Sequence, residues 1–132
     1  MNKACPGVTR ITGKGTEILS FHHPLAGRQI VKGTIEPRET LDRACIREIR
    51  EESGLVGVVS KNLGTWQSHY ENKIWGFSLM SVKSPIKDSW SLFANDDGGL
   101  TFSYFWWPLK QELAGNWHPL YQGAFRFLRS AL

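Results

Sequence analysis

Cysteine is scarce in this chain of 132 residues. Cys5 and Cys45 are the only two, and they have no CxxC or metal-ligand spacing. That excludes a disulfide framework of the kind that staples small secreted domains. No apolar run approaches the roughly 20 residues that a membrane-spanning helix needs. The stretch MNKACPGVTRITGKG has no apolar signal core, so a reducing, cytoplasmic setting is expected. Repeats, linkers and low-complexity tracts are also lacking. The expectation is one domain over 1–132, long enough to bury a core without disulfides or a structural metal. There is no basic run and no nucleic-acid motif, so the net charge of +4 suits a small polyphosphate and gives no support to duplex binding. The oligomeric state is not legible.

What the chain does have is an uneven distribution of acids. Six of its twelve carboxylates fall between Glu36 and Glu52, where four arginines leave a net charge of −2. The remainder carries six acids against twelve lysines and arginines, a net of +6. A basic body around an acidic focus suits an anionic ligand held through a bridging cation. It equally fits a solvated helix on a mildly basic protein.

The local pattern places this focus on a helix. Thr40 is a plausible N-cap, Leu41, Ala44, Cys45 and Ile49 recur at helical spacing, and Gly54 is a natural stop, which predicts a helix over about 40–53. GTEILSFHHP reads as a strand and QIVKG as a short apolar run stopped by Gly33. LVGVVSKNLGTWQSHY and KIWGFSLMSV read as two strands joined near Glu71 and Asn72, and NDDGG as a turn. In LTFSYFWWPL, Leu100, Phe102, Tyr104 and Trp106 alternate with Phe105 and Trp107, so the strand is expected to be covered on both sides. The tail predicts an amphipathic helix with Leu120, Ala124, Phe127, Leu128 and Ala131 on its inner face. Together these elements imply an α/β protein with a mixed sheet covered by helices.

On the predicted helix, Glu48 and Glu52 lie one turn apart with Glu51 beside them. Three carboxylates so close raise one another's pKa unless a cation sits among them, and hard oxygen donors in this number suit Mg²⁺ or Mn²⁺. Glu39 approaches from the preceding loop. Gly33 permits close backbone approach, and Arg47 can hold a neighbouring carboxylate in a bidentate pair.

Gly33, five residues, Glu39, seven residues, then Arg47-Glu48-Ile49-Arg50-Glu51-Glu52-Ser53-Gly54-Leu55 resembles the full Nudix box over residues 33–55. Seven identities and two apolar positions match without a gap. The resemblance implies an α/β/α sandwich with a mixed β-sheet between helices. It also implies Mg²⁺- or Mn²⁺-dependent hydrolysis of a pyrophosphate bond in a nucleoside diphosphate linked to another moiety, a small molecule. Carried over by position, Glu48, Glu51 and Glu52 would be metal ligands, with the carbonyl of Gly33, and Glu39 would support the site. Arg47 would orient the carboxylates. Many members have glycine where this chain has Arg38, and proline where it has Val31. The loop is therefore expected to avoid positive φ at 38 and to follow a different path. Arg38 and Lys32 are candidate phosphate contacts, each also readable as a solvated charge. Asp96 and Asp97 are candidates for an extra carboxylate beyond the box, and equally for a plain turn. The four histidines show no ligand spacing, and one or two of the six tryptophans could stack a base. The alternative to an enzyme is a Nudix-like regulatory domain that binds a nucleotide without turning it over.

Overall fold

The computed structural model describes residues 1–83, 86–94 and 98–132. Among the described residues, eight strands and two helices follow one another: β1 (Lys3–Thr12), β2 (Gly15–His23), β3 (Gly27–Ile30), β4 (Gly33–Thr34), α1 (Leu41–Ser53), β5 (Gly57–Gln67), β6 (Ile74–Val82), β7 (Trp90–Ala94), β8 (Leu100–Pro108) and α2 (Leu120–Ala131). One mixed sheet runs in the order β5-β6-β1-β2-β8-β7, with β3 on β2 and β4 on β1. Among the described strands β1 and β6 pair in parallel and the other neighbours antiparallel.

The two faces of the sheet bury separate cores, which makes the architecture an α/β/α sandwich. Under α1, Leu41, Ala44, Cys45 and Ile49 meet Ala4, Val8, Leu19, Phe21, Met80, Phe102, Tyr104 and Trp106. Under α2, Tyr121, Ala124, Phe125 and Leu128 meet Cys5, Ile18, Ile30, Trp75, Phe77 and Trp107. The period of two along a strand sorts neighbours to opposite cores: Ala4 from Cys5, Ile18 from Leu19, Trp106 from Trp107. The expected two-sided burial of β8 is therefore observed.

Three sequence expectations change. The N-terminal segment is a central strand, although Pro6 and Gly7 conceal it. Pro6 sits where β1 has a partner on one side only. The strand pairs with β4 at Lys3–Ala4 and with β2 from Thr9 on, while β6 flanks it from Lys3 to Val8. A missing N–H is tolerated on an unpaired side. The inner face of α2 is rotated: Tyr121 and Phe125 are buried, whereas Leu120, Phe127 and Ala131 are half-buried. The strand β7, which the sequence did not signal, closes one edge of the sheet against β8.

Helix α1 is docked by a few side chains, and Ile49 is fully buried among them. Ile49→Ala should cost about 2–5 kcal/mol through lost contact and a residual cavity. Urea unfolding measures this, and a change under about 1 kcal/mol would show that the helix is not held by this contact.

Candidate active site

The ends of α1 are fixed as its sequence suggests. Thr40 Oγ1 accepts from the Arg43 amide at 3.1 Å. Gly54 takes a left-handed φ of 78° and its N–H reaches the Arg50 carbonyl at 2.9 Å. Two aromatic side chains from the sheet complete the C-terminal end. Trp90 Nε1 donates to the Ser53 carbonyl at 3.1 Å and the Tyr104 hydroxyl donates to the Glu52 carbonyl. Their rings stack at 5.1 Å and 11°.

The outward face of the helix gathers its carboxylates around Arg47. The guanidinium forms a two-pronged pair with Glu39, Nε to Oε2 and Nη2 to Oε1, both at 2.7 Å. Nη1 donates to Glu48 Oε1 at 2.7 Å and to Glu51 Oε2 at 3.3 Å, and Nη2 also donates to the Thr34 carbonyl at 2.9 Å. Glu36 lies 3.8 Å from the same Nη1. These bonds, that from Glu39 above all, raise the Arg47 pKa further above its ordinary value. The Arg47 hydrogen bonds, with the Glu36 amide bonded to Glu39 Oε1, hold the Glu39 carboxyl down at about 2.

Glu48 is buried and pressed against Gly33. A Cβ on Gly33 would meet the Glu48 carboxyl carbon at 1.9 Å, so any other residue there would displace the Glu48 carboxylate from its place. The reason for this glycine is thus steric. Glu51 is half-exposed, while Glu52 is partly buried, with Oε2 shielded from solvent. The sequence predicted that Glu48, Glu51 and Glu52 converge on one another. Glu39, Glu48 and Glu51 converge on the Arg47 guanidinium, which supplies a cation locally. Glu48, Glu51 and Glu52 with the Gly33 carbonyl are a set of hard oxygen donors that could hold a divalent ion. Among the described residues no three carboxylate, histidine or cysteine groups are already spaced around such a point.

Lys32 adjoins Gly33 and sits with its ammonium 5.6 Å from the Trp75 ring centre. Burial, aided by the nearby Lys3, lowers its pKa, and Glu52 and Glu48 oppose that shift. It is therefore a partly desolvated cation beside the carboxylates. Asp96 and Asp97 lie outside the described residues. The tryptophans are half-buried or buried in the two cores, and Trp75 and Trp90 each also line a surface hollow.

A family model described as NUDIX domain matches residues 2–126. The chain belongs to the Nudix family. Its fold is similar to that of an ADP-ribose pyrophosphatase from Streptococcus suis, over 98% of this chain and 92% of the other, with a TM-score of 0.62 at 14% identity. It is likewise similar to a MutT protein from Methanosarcina mazei (97% and 92% covered, TM-score 0.61, 20% identity) and to a NUDIX hydrolase from Nitrosomonas europaea (98% and 88%, 0.61, 18%). Likeness at these identities shows the fold. No curated protein sequence matches significantly. None of the described helices of this Nudix chain is long and apolar enough to cross a membrane.

In this Nudix loop the expected detour at Arg38 does not occur. Arg38 takes φ 65°, the left-handed conformation that glycine would adopt more easily. Glu39 and Thr40 immediately after it are tied to Arg47 and to the helix cap, which holds the loop in this conformation. Arg38→Gly should therefore leave stability within about 1 kcal/mol, relief of strain offsetting the greater freedom of the unfolded chain. A larger loss on thermal unfolding would show that the Arg38 side chain holds the loop.

The low pKa of Glu39 makes a signed prediction for metal-free protein. The unfolded carboxyl titrates near 4.5 and the folded one near 2, so between these values the unfolded state binds more protons. The stabilisation is complete above the unfolded value, shrinks as pH falls and is gone below the folded value. Denaturation curves of wild type and Glu39→Gln should thus differ most above pH 4.5 and converge towards pH 2. A gap independent of pH would refute this.

Proposed function

We propose that this chain, as a single domain over 1–132, is a pyrophosphohydrolase that cleaves the phosphoanhydride of a small nucleoside diphosphate derivative with Mg²⁺ or Mn²⁺. The observation that carries this reading is the acid face of α1: a buried Glu48 seated on Gly33, an exposed Glu51 and a partly buried Glu52, ordered by one arginine. Glu48, Glu51, Glu52 and the Gly33 carbonyl would hold the ion. When bound, it neutralises charge on the phosphate oxygens and acidifies a water for attack on phosphorus.

The chain's own residues supply the rest. Arg47 fixes the Glu48 and Glu39 carboxylates, so that little reorganisation is needed when a highly charged substrate arrives. Lys32 offers a cation that is incompletely solvated and therefore interacts strongly with a phosphate. Arg38 presents its side chain from a loop whose backbone is already fixed. Glu51 or Glu52 would take the proton from the attacking water; Glu51 is the more exposed and Glu52 has the drier surroundings.

Glu52→Gln and Glu51→Gln, tested separately with Mg²⁺ on a panel of nucleoside diphosphate derivatives, should each lower kcat at least about 100-fold while far-ultraviolet circular dichroism stays native. Mg²⁺ should also raise the melting temperature of wild type more than that of Glu52→Gln. An active Glu52→Gln enzyme would sink the reading. Tight nucleotide binding by wild type with no product after long incubation would instead assign the regulatory role.

A further inference from the structure

At the end of the sheet away from Gly33 the surface opens into a hollow of about 360 Å³. Three cations line it, Lys14, Lys110 and Arg129, with no acidic side chain among them. Much of the remaining wall is apolar, from Pro108, Leu109 and Leu132. The hollow is remote from the acid face. Strand β1 has Lys3, paired with Thr34 beside Gly33, at one end and Thr12, at the hairpin that carries Lys14, at the other. Its ten residues separate the two places by about 30 Å, at roughly 3.3 Å per residue.

Each cation stands on a fixed backbone. Lys14 occupies the turn between β1 and β2, where its amide donates to Thr12 Oγ1 at 3.1 Å. Lys110 lies in a turn closed by the Gln111 amide on the Pro108 carbonyl at 3.1 Å. Arg129, in the last turn of α2, clamps that same turn: Nε donates to the Leu109 carbonyl at 2.7 Å and Nη2 to the Gln111 carbonyl at 2.8 Å. The Leu109 amide in its turn donates to the Thr16 carbonyl at 2.9 Å, which joins this turn to the hairpin. Three segments far apart in sequence are thus locked together through carbonyls, which leave the positive charges uncompensated. The nearest acids in sequence do not compensate them either. Glu17 lies on the opposite side of the sheet from Thr16 and Ile18, where it pairs with Arg10 at 2.8 Å. Glu112 does not line the hollow. Among the described residues no acidic side chain lies within ion-pair distance of Lys14, Lys110 or Arg129, whereas Arg10 and Arg47 are both paired. The negative end of the α2 dipole, worth about half a charge, and a main-chain carboxylate at Leu132 would together offset only half of the three cations.

We infer that this hollow is a second anion site, separate from the acid face, which takes a compact phosphate-type oxyanion such as pyrophosphate. Like charges gathered without a counter-charge repel one another, and against an apolar wall that repulsion is screened less than in open water. An anion with several charged oxygens relieves it by accepting from more than one cation at once. Arg129 contributes a planar donor whose orientation its two carbonyl partners already fix, so little freedom is lost when the anion arrives. Lys14 and Lys110 are exposed point charges on long stems that close on the anion from the two turns. The volume lies at the small end of the range for ligand sites, roughly 300–1,000 Å³, which suits a few phosphate groups and not a polymer. No residue of the acid face takes part, and no divalent ion is needed, because the hollow is itself positive.

Backbone amide NMR shifts, followed in metal-free buffer as sodium pyrophosphate is added, locate the binding. Saturating shifts should centre on Lys14, Thr16, Lys110 and Arg129, and sodium chloride at equal ionic strength should not reproduce them. The affinity read at these amides should fall about tenfold when Lys14→Met and Lys110→Met are combined. It should stay within about twofold of wild type in Lys32→Met, which removes a cation beside the acid face. Both substituted lysines are exposed and lie in turns, and the wild-type shift map decides the matter alone should the double variant not fold. No pyrophosphate binding, shifts confined to the surroundings of Gly33, the same shifts with chloride, or an unchanged affinity in the double variant would each overturn the proposal. None of these readouts involves turnover, so the hydrolase reading and the second site stand or fall separately.

Discussion

One guanidinium holds the acidic face of α1 in a single arrangement. Glu48, Glu51 and Glu52 lie in the C-terminal half of that helix, where the backbone dipole already disfavours negative charge. They also repel one another. Arg47, placed within a turn of Glu48 and Glu51, offsets both effects, and its fork reaches across to Glu39 on the preceding loop. A lysine could neutralise one carboxylate but could not present three geometrically fixed nitrogens to three carboxylates and a carbonyl. The loop and the helix are thereby joined by electrostatics before any ligand arrives.

The same arrangement explains why two residues of the loop tolerate what they do. Gly33 has an ordinary backbone conformation, yet no side chain fits in front of it, because the buried Glu48 carboxylate occupies that space. Arg38 has a side chain in a conformation that favours glycine, and it persists because Glu39 and Thr40 leave the backbone no other path. In both cases a local preference yields to the demand of placing one carboxylate.

Much of this was legible in the sequence, and the residues show why. Helix α1 announced itself through Thr40, its apolar spacing and Gly54, all of which act locally. The box residues were identifiable because Gly33, Glu39 and the run from Arg47 to Leu55 resemble the Nudix box; their charge alone fits a solvated helix as well. What escaped was non-local. Strand β1 is interrupted by Pro6 and Gly7, which are acceptable only because of where β4 ends and β2 begins. The rotation of α2 is set by the sheet beneath it, not by its own pattern, in which Leu120 and Phe127 look as apolar as Tyr121 and Phe125. The two-pronged grip of Arg47 on a carboxylate was expected from the sequence, but which carboxylates it reaches depends on rotamers that spacing does not determine.

Fixing the carboxylates from one side is not enough, because a helix can still fray or slide at the end that carries Glu51 and Glu52. There the sheet intervenes: Trp90 and Tyr104, neighbours in register on β7 and β8, take the last two carbonyls of α1. Tyr104 is nearly fully buried, so its hydroxyl has no water to turn to and its bond to Glu52 is obligatory. The backbone of the acid face is thus anchored by the sheet while the Glu51 side chain stays exposed. The acid face is held from two sides, with the Glu48 and Glu51 carboxylates bonded to Arg47 and the main chain at Glu52 and Ser53 bonded to the sheet, so that neither the side chains nor the helix end can shift without breaking the other set of bonds.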